Sequence, residues 1–231
     1  MKLIAKICKQ NKGFLLFIFL MLFFRSAIAD WYHIPSGSMQ PTILIGDRVW
    51  VDKLAYDTKI PFTQINLGRQ AEPKRGDIIV FDSKVSEDRL IKRVIGLPGD
   101  IVEMRNNQLF LNHNPVAIES VEYSYEFDDY LNDRDMATYY QEAFDSDEID
   151  KASHFIRIRL DRRSKLSSFA PIFIPQDYYW VMGDNRDNSA DSRVIGLVPR
   201  SELIGRAESV VISLDKNNYY MPRDKRYSVE L

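Results

Sequence analysis

The stretch IPSGSMQPT, residues 34–42, lies between an apolar segment and a series of strand-like runs. Gly37 frees the backbone between two serines, while Pro35 and Pro41 stiffen both flanks by fixing φ. A rigid turn of this kind can present one serine as a nucleophile. Ser and Gly also build purely structural turns, so the stretch alone leaves both interpretations open.

The chain after residue 42 is typical of β structure, because short apolar and β-branched runs alternate with turn residues. Strands are predicted at residues 49–51, 78–81, 89–95, 152–160, 172–175, 178–182 and 207–214, and a hairpin at 101–104 and 108–111. Residues 53–74 are largely polar and contain two prolines and a glycine, which predicts a long surface loop. The polar tail from Asp215 carries no recognisable motif.

Composition excludes several classes of protein. The 231 residues carry a net charge of −2, so no clustered basic face for nucleic acid is indicated. Cys8 is the single cysteine, which rules out an internal disulfide and a multi-cysteine metal site. His33, His113 and His154 lack the spacing of a helical metal site, and we expect all three at the surface or in turns.

The N-terminal region combines four lysines in the first twelve residues with the apolar run 14–24 and then Arg25. A basic start, a short apolar core and a small-x-small ending at Ala27 and Ala29 are typical of a cleavable secretory signal. A signal of this kind keeps the lysines on the cytoplasmic side and sends Asp30 across the membrane, and a retained membrane anchor would do the same.

The second interpretation of this region is a retained membrane anchor. Gly13 to Ala29 is somewhat short for a span, which needs about 20 residues. This segment would nearly span the membrane if the Arg25 side chain extends towards the far interface, where Trp31 and Tyr32 would supply an aromatic belt. Composition alone does not decide between the two interpretations.

Lys92 lies in a predicted strand whose alternation puts Leu90, Lys92 and Val94 on one face. An edge-strand lysine that prevents aggregation is one explanation. The other is a desolvated lysine that acts as a base. An ordinary lysine has a pKa of about 10.4, and burial lowers such a value by up to about 3–5 units.

The loop GDNRDNSADSR, residues 183–193, is unusually dense in polar groups, with three aspartates and two arginines. Asp and Arg can pair in bidentate fashion and stiffen such a turn. Ser189 or Ser192 could also orient a lysine amine by accepting its hydrogen bond. A capped, salt-bridged turn with purely structural duties explains the composition equally well.

Four segments together resemble the bacterial type I signal peptidases, membrane-bound serine proteases that remove signal peptides from exported proteins. They are PSGSMQPT at 35–42, RGDIIVF at 75–81, IKRVIGLPGD at 91–100 and GDNRDNSADSR at 183–193. The resemblance implies that Ser38 is the nucleophile, Lys92 the general base, Ser36 an oxyanion-hole hydroxyl and Ser189 the residue that orients the lysine. The positions that it implies brace the site are Arg93, Asp184, Arg186, Asp191 and Arg193. It implies no metal and no cofactor.

The resemblance also implies an architecture: a mainly β fold, with an antiparallel β-sheet catalytic core, a β-rich insertion and one N-terminal transmembrane helix. The expected parts are a cytoplasmic tail (1–13), a retained anchor (14–29), the catalytic core (30–111 and 172–231) and a variable acidic insertion (112–171). We expect the insertion to have no catalytic role and its charge run, Glu119 to Asp150, to face solvent. The chain would cross the bacterial cytoplasmic membrane once, with the catalytic domain on the periplasmic or external side.

The expected partners are exported preproteins and the lipid bilayer, with neither nucleic acid nor metal. The resemblance implies substrates with small residues one and three positions before the cut, and Ile34 and Ile91 are the candidates for lining the pockets. Two rival functions are considered. A catalytically silent exported β protein would not need Ser38, Lys92 and Ser189 together. A self-cleaving Ser-Lys repressor would need a DNA-binding domain where this chain has its apolar segment.

Overall fold

The structure is a computed structural model that describes residues 10–63, 65–121, 137–144, 153–159 and 164–231. Its helices are α1 (Lys12–Ala27), α2 (Ser192–Ile195) and a 3-10 turn (Arg200–Glu202). Its first nine strands are β1 (Ala29–His33), β2 (Asp47–Asp52), β3 (Asp57–Lys59), β4 (Asn66–Arg69), β5 (Ile78–Ser83), β6 (Asp88–Gly96), β7 (Ile101–Arg105), β8 (Gln108–Leu111) and β9 (Asn114–Pro115). The remaining strands are β10 (Ala117–Ser120), β11 (Ala137–Ala143), β12 (Ser153–Arg159), β13 (Phe169–Phe173), β14 (Tyr178–Met182), β15 (Val198–Pro199), β16 (Leu203–Asp215), β17 (Met221–Pro222) and β18 (Val229–Glu230).

The largest sheet runs in the order β1-β2-β16-β5-β6-β14-β15, and β17 and β18 also pair with β16. Three smaller sheets have the orders β13-β7-β8-β9, β10-β11-β12 and β3-β4. The named strands pair antiparallel in every ladder that the structure describes. The predicted fold class, mainly antiparallel β, is therefore confirmed.

Strand β5 is buried on both faces, and its antiparallel pairing with β6 sets which residues of β6 share each face. Because side chains alternate along a strand, Ile78 and Val80 pack in one hydrophobic cluster and Ile79 and Phe81 in another. In β6 the predicted alternation is present as well, since Val94 and the partly buried Leu90 join the second cluster. Lys92 stands directly opposite Ile79 in the antiparallel register, so the two share a face.

Two predicted local features, the hairpin at 101–111 and the loop at 53–74, differ in outcome. The predicted hairpin is present as β7 and β8, and its turn residues Asn106 and Asn107 both have positive φ, which asparagine tolerates. The predicted long loop 53–74 instead contains the short hairpin of β3 and β4. Strand propensity there is low, and cross-strand pairing over only a few residues holds the hairpin.

The N-terminal helix α1 ends at Ala27, and Ala29 already belongs to β1. Ten large apolar side chains of α1 are exposed. No helix among the described residues is both long enough and apolar enough to cross a membrane. Of the predicted cytoplasmic tail 1–13, residues 1–9, including Cys8, lie outside the described residues.

The predicted insertion 112–171 contributes β10, β11 and β12 to a sheet of their own. Most of the acidic run Glu119–Asp150 lies outside the described residues. Within the described part, Glu142 is buried, so the expectation of a solvent-facing charge run is wrong for this residue. The expectation of a surface or turn position is also wrong for His154, which is buried in β12, whereas His33 and His113 are exposed.

Candidate active site

Ser38 lies in the turn that connects β1 to β2, and only 8% of it is exposed. Backbone hydrogen bonds between Ile34 and Asp47, and between Gly46 and Ile34, close the two ends of this loop. Gly37 lies against the side chain of Gln40, and a Cβ there would lie 2.7 Å from Oε1 of Gln40. The sequence IPSGSMQPT thus folds into a closed loop that holds its second serine inward.

Lys92 extends from the middle of β6 towards this serine. Its Nζ donates hydrogen bonds to Ser38 Oγ at 2.8 Å and to the Ile91 carbonyl oxygen at 2.9 Å, and the residue is 3% exposed. Burial lowers the pKa of Lys92 to about 8, against the opposing charges of Asp191 and Asp184. With that pKa, about a tenth of the amine is neutral at pH 7, whereas an ordinary lysine is almost fully charged.

The loop that follows β14 packs directly on the backbone of Ser38. A Cβ on Gly183 would lie 2.4 Å from the carbonyl oxygen of Ser38 and 2.3 Å from Oγ of Ser189. The backbone N–H of Asn185 donates to that same Ser38 carbonyl at 3.1 Å. The loop 183–193 and the turn of Ser38 therefore form one packed unit.

Two buried bidentate ion pairs brace the site. Arg93, the neighbour of Lys92, donates Nε to Oδ1 of Asp184 at 2.9 Å and Nη2 to Oδ2 at 2.7 Å. Arg193 binds Asp191 in the same way, at 2.8 and 2.7 Å. Burial alone raises the pKa of Asp184, but the charge and hydrogen bonds of Arg93 outweigh it and hold the pKa below its ordinary value. The first pair joins β6 to the loop 183–193, and the second lies within that loop.

Arg186 has a partner that the sequence did not indicate. Its guanidinium is fully buried and forms a bidentate pair with Glu142 of β11, with Nη1 2.9 Å from Oε1. His154 of β12 lies beside them, with Nε2 3.4 Å from Oε2 of Glu142. Burial raises the pKa of Glu142, but the charge and the hydrogen bonds of Arg186 outweigh it, so the pKa falls below its usual range. No sequence pattern separates Glu142 from the other acidic residues around it.

The C-terminal tail also contacts the serine loop. Arg226 donates Nη2 to the Thr42 carbonyl at 3.0 Å and to Oδ2 of Asp47 at 2.7 Å. Arg223 donates Nη1 to the Ile45 carbonyl at 3.0 Å. The tail carries no motif in the sequence, and only the fold shows that it supports the loop 42–47.

The other predicted site residues lie around Ser38 and Lys92. Ser36 is exposed, two residues before Ser38. Ser189 is buried beside Gly183, while the Lys92 amine makes its hydrogen bonds to Ser38 and Ile91. The hydrogen bond between Ser189 and the lysine therefore stays a prediction. The alternative orienting residue, Ser192, accepts a hydrogen bond from the Val181 N–H at 2.9 Å.

The candidate pocket residues share one hydrophobic cluster. Ile34 is 3% exposed within it, and Ile91 packs against it while partly buried. Their role as pocket residues stays a prediction.

Among the described residues, no group of three His, Cys, Asp or Glu side chains is arranged to hold a metal ion.

A buried amine with a lowered pKa, in hydrogen-bond contact with a serine hydroxyl, is the arrangement that activates a serine as a nucleophile. The Arg93–Asp184 pair ties the strand of Lys92 to the loop that packs on Ser38. The arrangement is therefore chemically suited to acyl transfer.

Comparison with known proteins points to one family. The model of the family described as signal peptidase, peptidase S26, matches residues 8–212. Signal peptidase I of Pseudomonas aeruginosa is 34% identical, over 89% of this chain and 72% of its own length. Signal peptidase I of Buchnera aphidicola subsp. Schizaphis graminum is 32% identical, over 88% of this chain and 74% of its own length. A crystal structure of a signal peptidase I from Enterococcus faecalis is 27% identical and covers 59% of this chain and 97% of that chain, with a TM-score of 0.35.

Proposed function

The chain belongs to the signal peptidase family, peptidase S26, and is a serine endopeptidase; from that premise we propose that it removes signal peptides from exported preproteins with a Ser38–Lys92 dyad. The observation that carries the proposal is the 2.8 Å contact between Lys92 Nζ and Ser38 Oγ inside a buried site.

In the proposed reaction, neutral Lys92 accepts the Ser38 proton as Oγ attacks the scissile carbonyl carbon. The Ser38 backbone N–H and the Ser36 hydroxyl stabilise the negative charge on the carbonyl oxygen, and each donor of this kind typically contributes about 2.7–4 kcal/mol. The Lys92 ammonium then gives its proton to the leaving amine. Water that Lys92 deprotonates hydrolyses the acyl-enzyme and regenerates Ser38.

The edge of β6 supports a β-strand-like mode of substrate binding. On one side of β6, residues 88–93 pair with β5. On the other side, β14 pairs with Arg93, Val94 and Gly96, and in the described part of the chain residues 88–92 have no strand partner on that side. A peptide added there would run towards Ser38 with alternate side chains facing the enzyme. We propose this edge as the substrate site.

The proposal includes attachment to the bacterial cytoplasmic membrane through the N-terminal segment. The ten exposed apolar side chains of α1 support it, because water solvates such a surface poorly. At the end of α1, Arg25 pairs with Asp30 and lies over the Trp31 ring, and such groups favour a membrane interface. The catalytic core, residues 30–111 and 172–231, would lie on the periplasmic or external side, with 112–171 as an insertion.

The test is incubation of the detergent-solubilised full chain with a preprotein, followed by N-terminal sequencing of the product. We expect one cut after a small-x-small site and no product with Ser38→Ala. Ser201→Ala, at an exposed serine far along the chain, is the matched control and should cleave normally. Cleavage by the Ser38→Ala enzyme would refute the proposed nucleophile.

A further inference from the structure

Asn185 binds two successive carbonyl groups of the serine turn. Its side-chain Nδ2 donates to the Gly37 carbonyl oxygen at 3.0 Å, and its backbone N–H donates to the Ser38 carbonyl oxygen at 3.1 Å. The residue is 1% exposed. The Gln40 N–H donates to the same Gly37 oxygen at 3.2 Å, so the buried Asn185 side chain and this turn bond together fix the direction of the carbonyl immediately before the proposed nucleophile.

The orientation of the Asn185 amide follows from its two partners. Oδ1 accepts a hydrogen bond from Nη1 of Arg157 at 3.3 Å, and a guanidinium can only donate. The Gly37 carbonyl can only accept, so it must face Nδ2. Arg157 thus selects the side of the amide that is turned towards Gly37.

Arg157 is itself held against the same loop by its backbone. Its N–H donates to the Asp184 carbonyl at 2.9 Å, and its carbonyl accepts from the Arg186 N–H at 2.9 Å. These bonds form a parallel bridge between Arg157 of β12 and Asn185. Strand β12 belongs to the insertion, so this bridge connects the insertion to the residue that contacts the serine turn.

The peptide group between Gly37 and Ser38 transmits this restraint to the reaction centre. A trans peptide is planar, and its C=O and N–H point in opposite directions. Fixing the Gly37 carbonyl therefore also fixes the direction of the Ser38 N–H. Among the described residues, the Ser38 N–H has no hydrogen-bond acceptor, so it is free to bind a ligand oxygen.

We infer that Asn185 is a positioning residue for the oxyanion hole: with its amide set by Arg157, it aims the Ser38 N–H at the oxygen that becomes negative in the transition state. The inference rests on the proposed function. It gives the insertion a part in catalysis, although none of its side chains touches the substrate carbonyl.

The substitution Asn185→Ala removes the donor to Gly37 without adding charge near the dyad. Loss of a whole oxyanion-hole donor typically lowers kcat by about 10²–10³-fold. Here the donor remains and only its direction relaxes, so we expect kcat to fall by about 10- to 100-fold. KM and the pH midpoint of activity should stay unchanged, because neither substrate docking nor Lys92 is altered. Asn188→Ala, at an exposed asparagine three residues on, is the matched control.

A pair of ligands separates positioning from general damage. A substrate-like peptide aldehyde forms a hemiacetal with Ser38 whose oxygen occupies the oxyanion position, whereas the matching peptide alcohol forms none. Affinity of Asn185→Ala for the aldehyde should fall in parallel with kcat/KM, and affinity for the alcohol should not change. Asn185→Asp provides a second variant of nearly the same shape, which cannot donate to Gly37 and should also lose turnover.

Three results would overturn the inference while leaving the proposed function intact, provided that Ser38→Ala remains inactive. The first is Asn185→Ala with kcat within twofold of the unsubstituted enzyme. The second is an equal loss of affinity for aldehyde and alcohol. The third is loss of the folded state in both Asn185 variants, which would assign a structural role. Activity of Ser38→Ala would instead overturn the proposed function itself.

Discussion

Arg186 and Glu142 form a bidentate ion pair whose side chains are 0% and 1% exposed. Arg186 belongs to the loop that packs on Ser38, and Glu142 belongs to strand β11 of the insertion. A charge pair closed to solvent in this way tolerates the loss of neither partner, because the remaining ion has no water to solvate it. The insertion and the proposed catalytic core are therefore coupled through this pair.

Glu142→Gln should destabilise the protein. The change leaves the Arg186 guanidinium buried beside a neutral amide, and removing one partner of a buried pair typically costs about 3–5 kcal/mol. Urea unfolding of the full chain in detergent, followed by tryptophan fluorescence, measures the free energy of unfolding. Glu119→Gln, at an exposed glutamate of β10, serves as control and should shift it little. Equal unfolding midpoints for the two variants would contradict the prediction.

Activity should rise with pH through the lowered pKa of Lys92, which burial sets at about 8. Only the neutral amine can accept the Ser38 proton, so kcat/KM should fall about tenfold per pH unit well below that value. Lys92→Arg should be inactive, because arginine is not deprotonated in proteins.

The control for this prediction is Lys84→Arg, at an exposed lysine in the turn after β5, which should retain the full profile. Cleavage of a preprotein measured from pH 6 to pH 9 provides the curve. A flat profile, or robust turnover by Lys92→Arg, would remove Lys92 from the role of base.

Gly183→Ala should impair catalysis more than its small size suggests. The added Cβ would lie 2.4 Å from the Ser38 carbonyl oxygen, which is backbone and cannot rotate away. Relief requires the serine turn to shift, and a misplacement of about 1 Å can cost about 10²-fold in rate. Gly68→Ala is the matched control, since a Cβ there meets nothing within 4 Å. Equal kcat values for the two variants would show that the serine turn accommodates the added Cβ without loss of catalytic rate.

The contact between Ser38 and Lys92 was predictable because the motifs that contain them resemble those of one family, and the antiparallel core followed from runs such as Ile78–Phe81. The positions of Glu142 and Asn185 were not. Glu142 lies in a charge run, where local composition predicts solvent exposure, and only the distant Arg186 makes its burial favourable. Asn185 was one polar residue among many in its loop. Its hydrogen bond to Gly37 depends on a contact between segments 148 residues apart.

The proposed topology predicts how Cys8 reacts with a thiol reagent that cannot cross the membrane. The lysines of the N-terminus favour the cytoplasmic side, so Cys8 should stay unlabelled in sealed cells and become labelled after lysis. Lys84→Cys places a thiol in an exposed turn of the proposed external domain and should be labelled in sealed cells. Labelling of Cys8 before lysis would reverse the orientation. A mature protein that begins at Asp30 would instead identify the segment as a cleaved signal.

The last prediction concerns substrate specificity. Ile34 and Ile91 pack in the same hydrophobic cluster, and each lies near one member of the proposed dyad in the sequence. Branched aliphatic side chains at the substrate edge would leave room for Ala and exclude larger residues by steric clash.

Ile34→Ala combined with Ile91→Ala should therefore allow Val or Leu before the cut, or make the cut imprecise. If both residues were ordinary core, each change would cost about 2–5 kcal/mol of stability and leave the cleavage pattern intact. Val210→Ala, in the same cluster but on β16, controls for loss of packing alone. Sequencing the products of one preprotein, with its small residues varied, distinguishes these outcomes. An unchanged cut site and an unchanged residue preference in the double variant would exclude both isoleucines from the pocket.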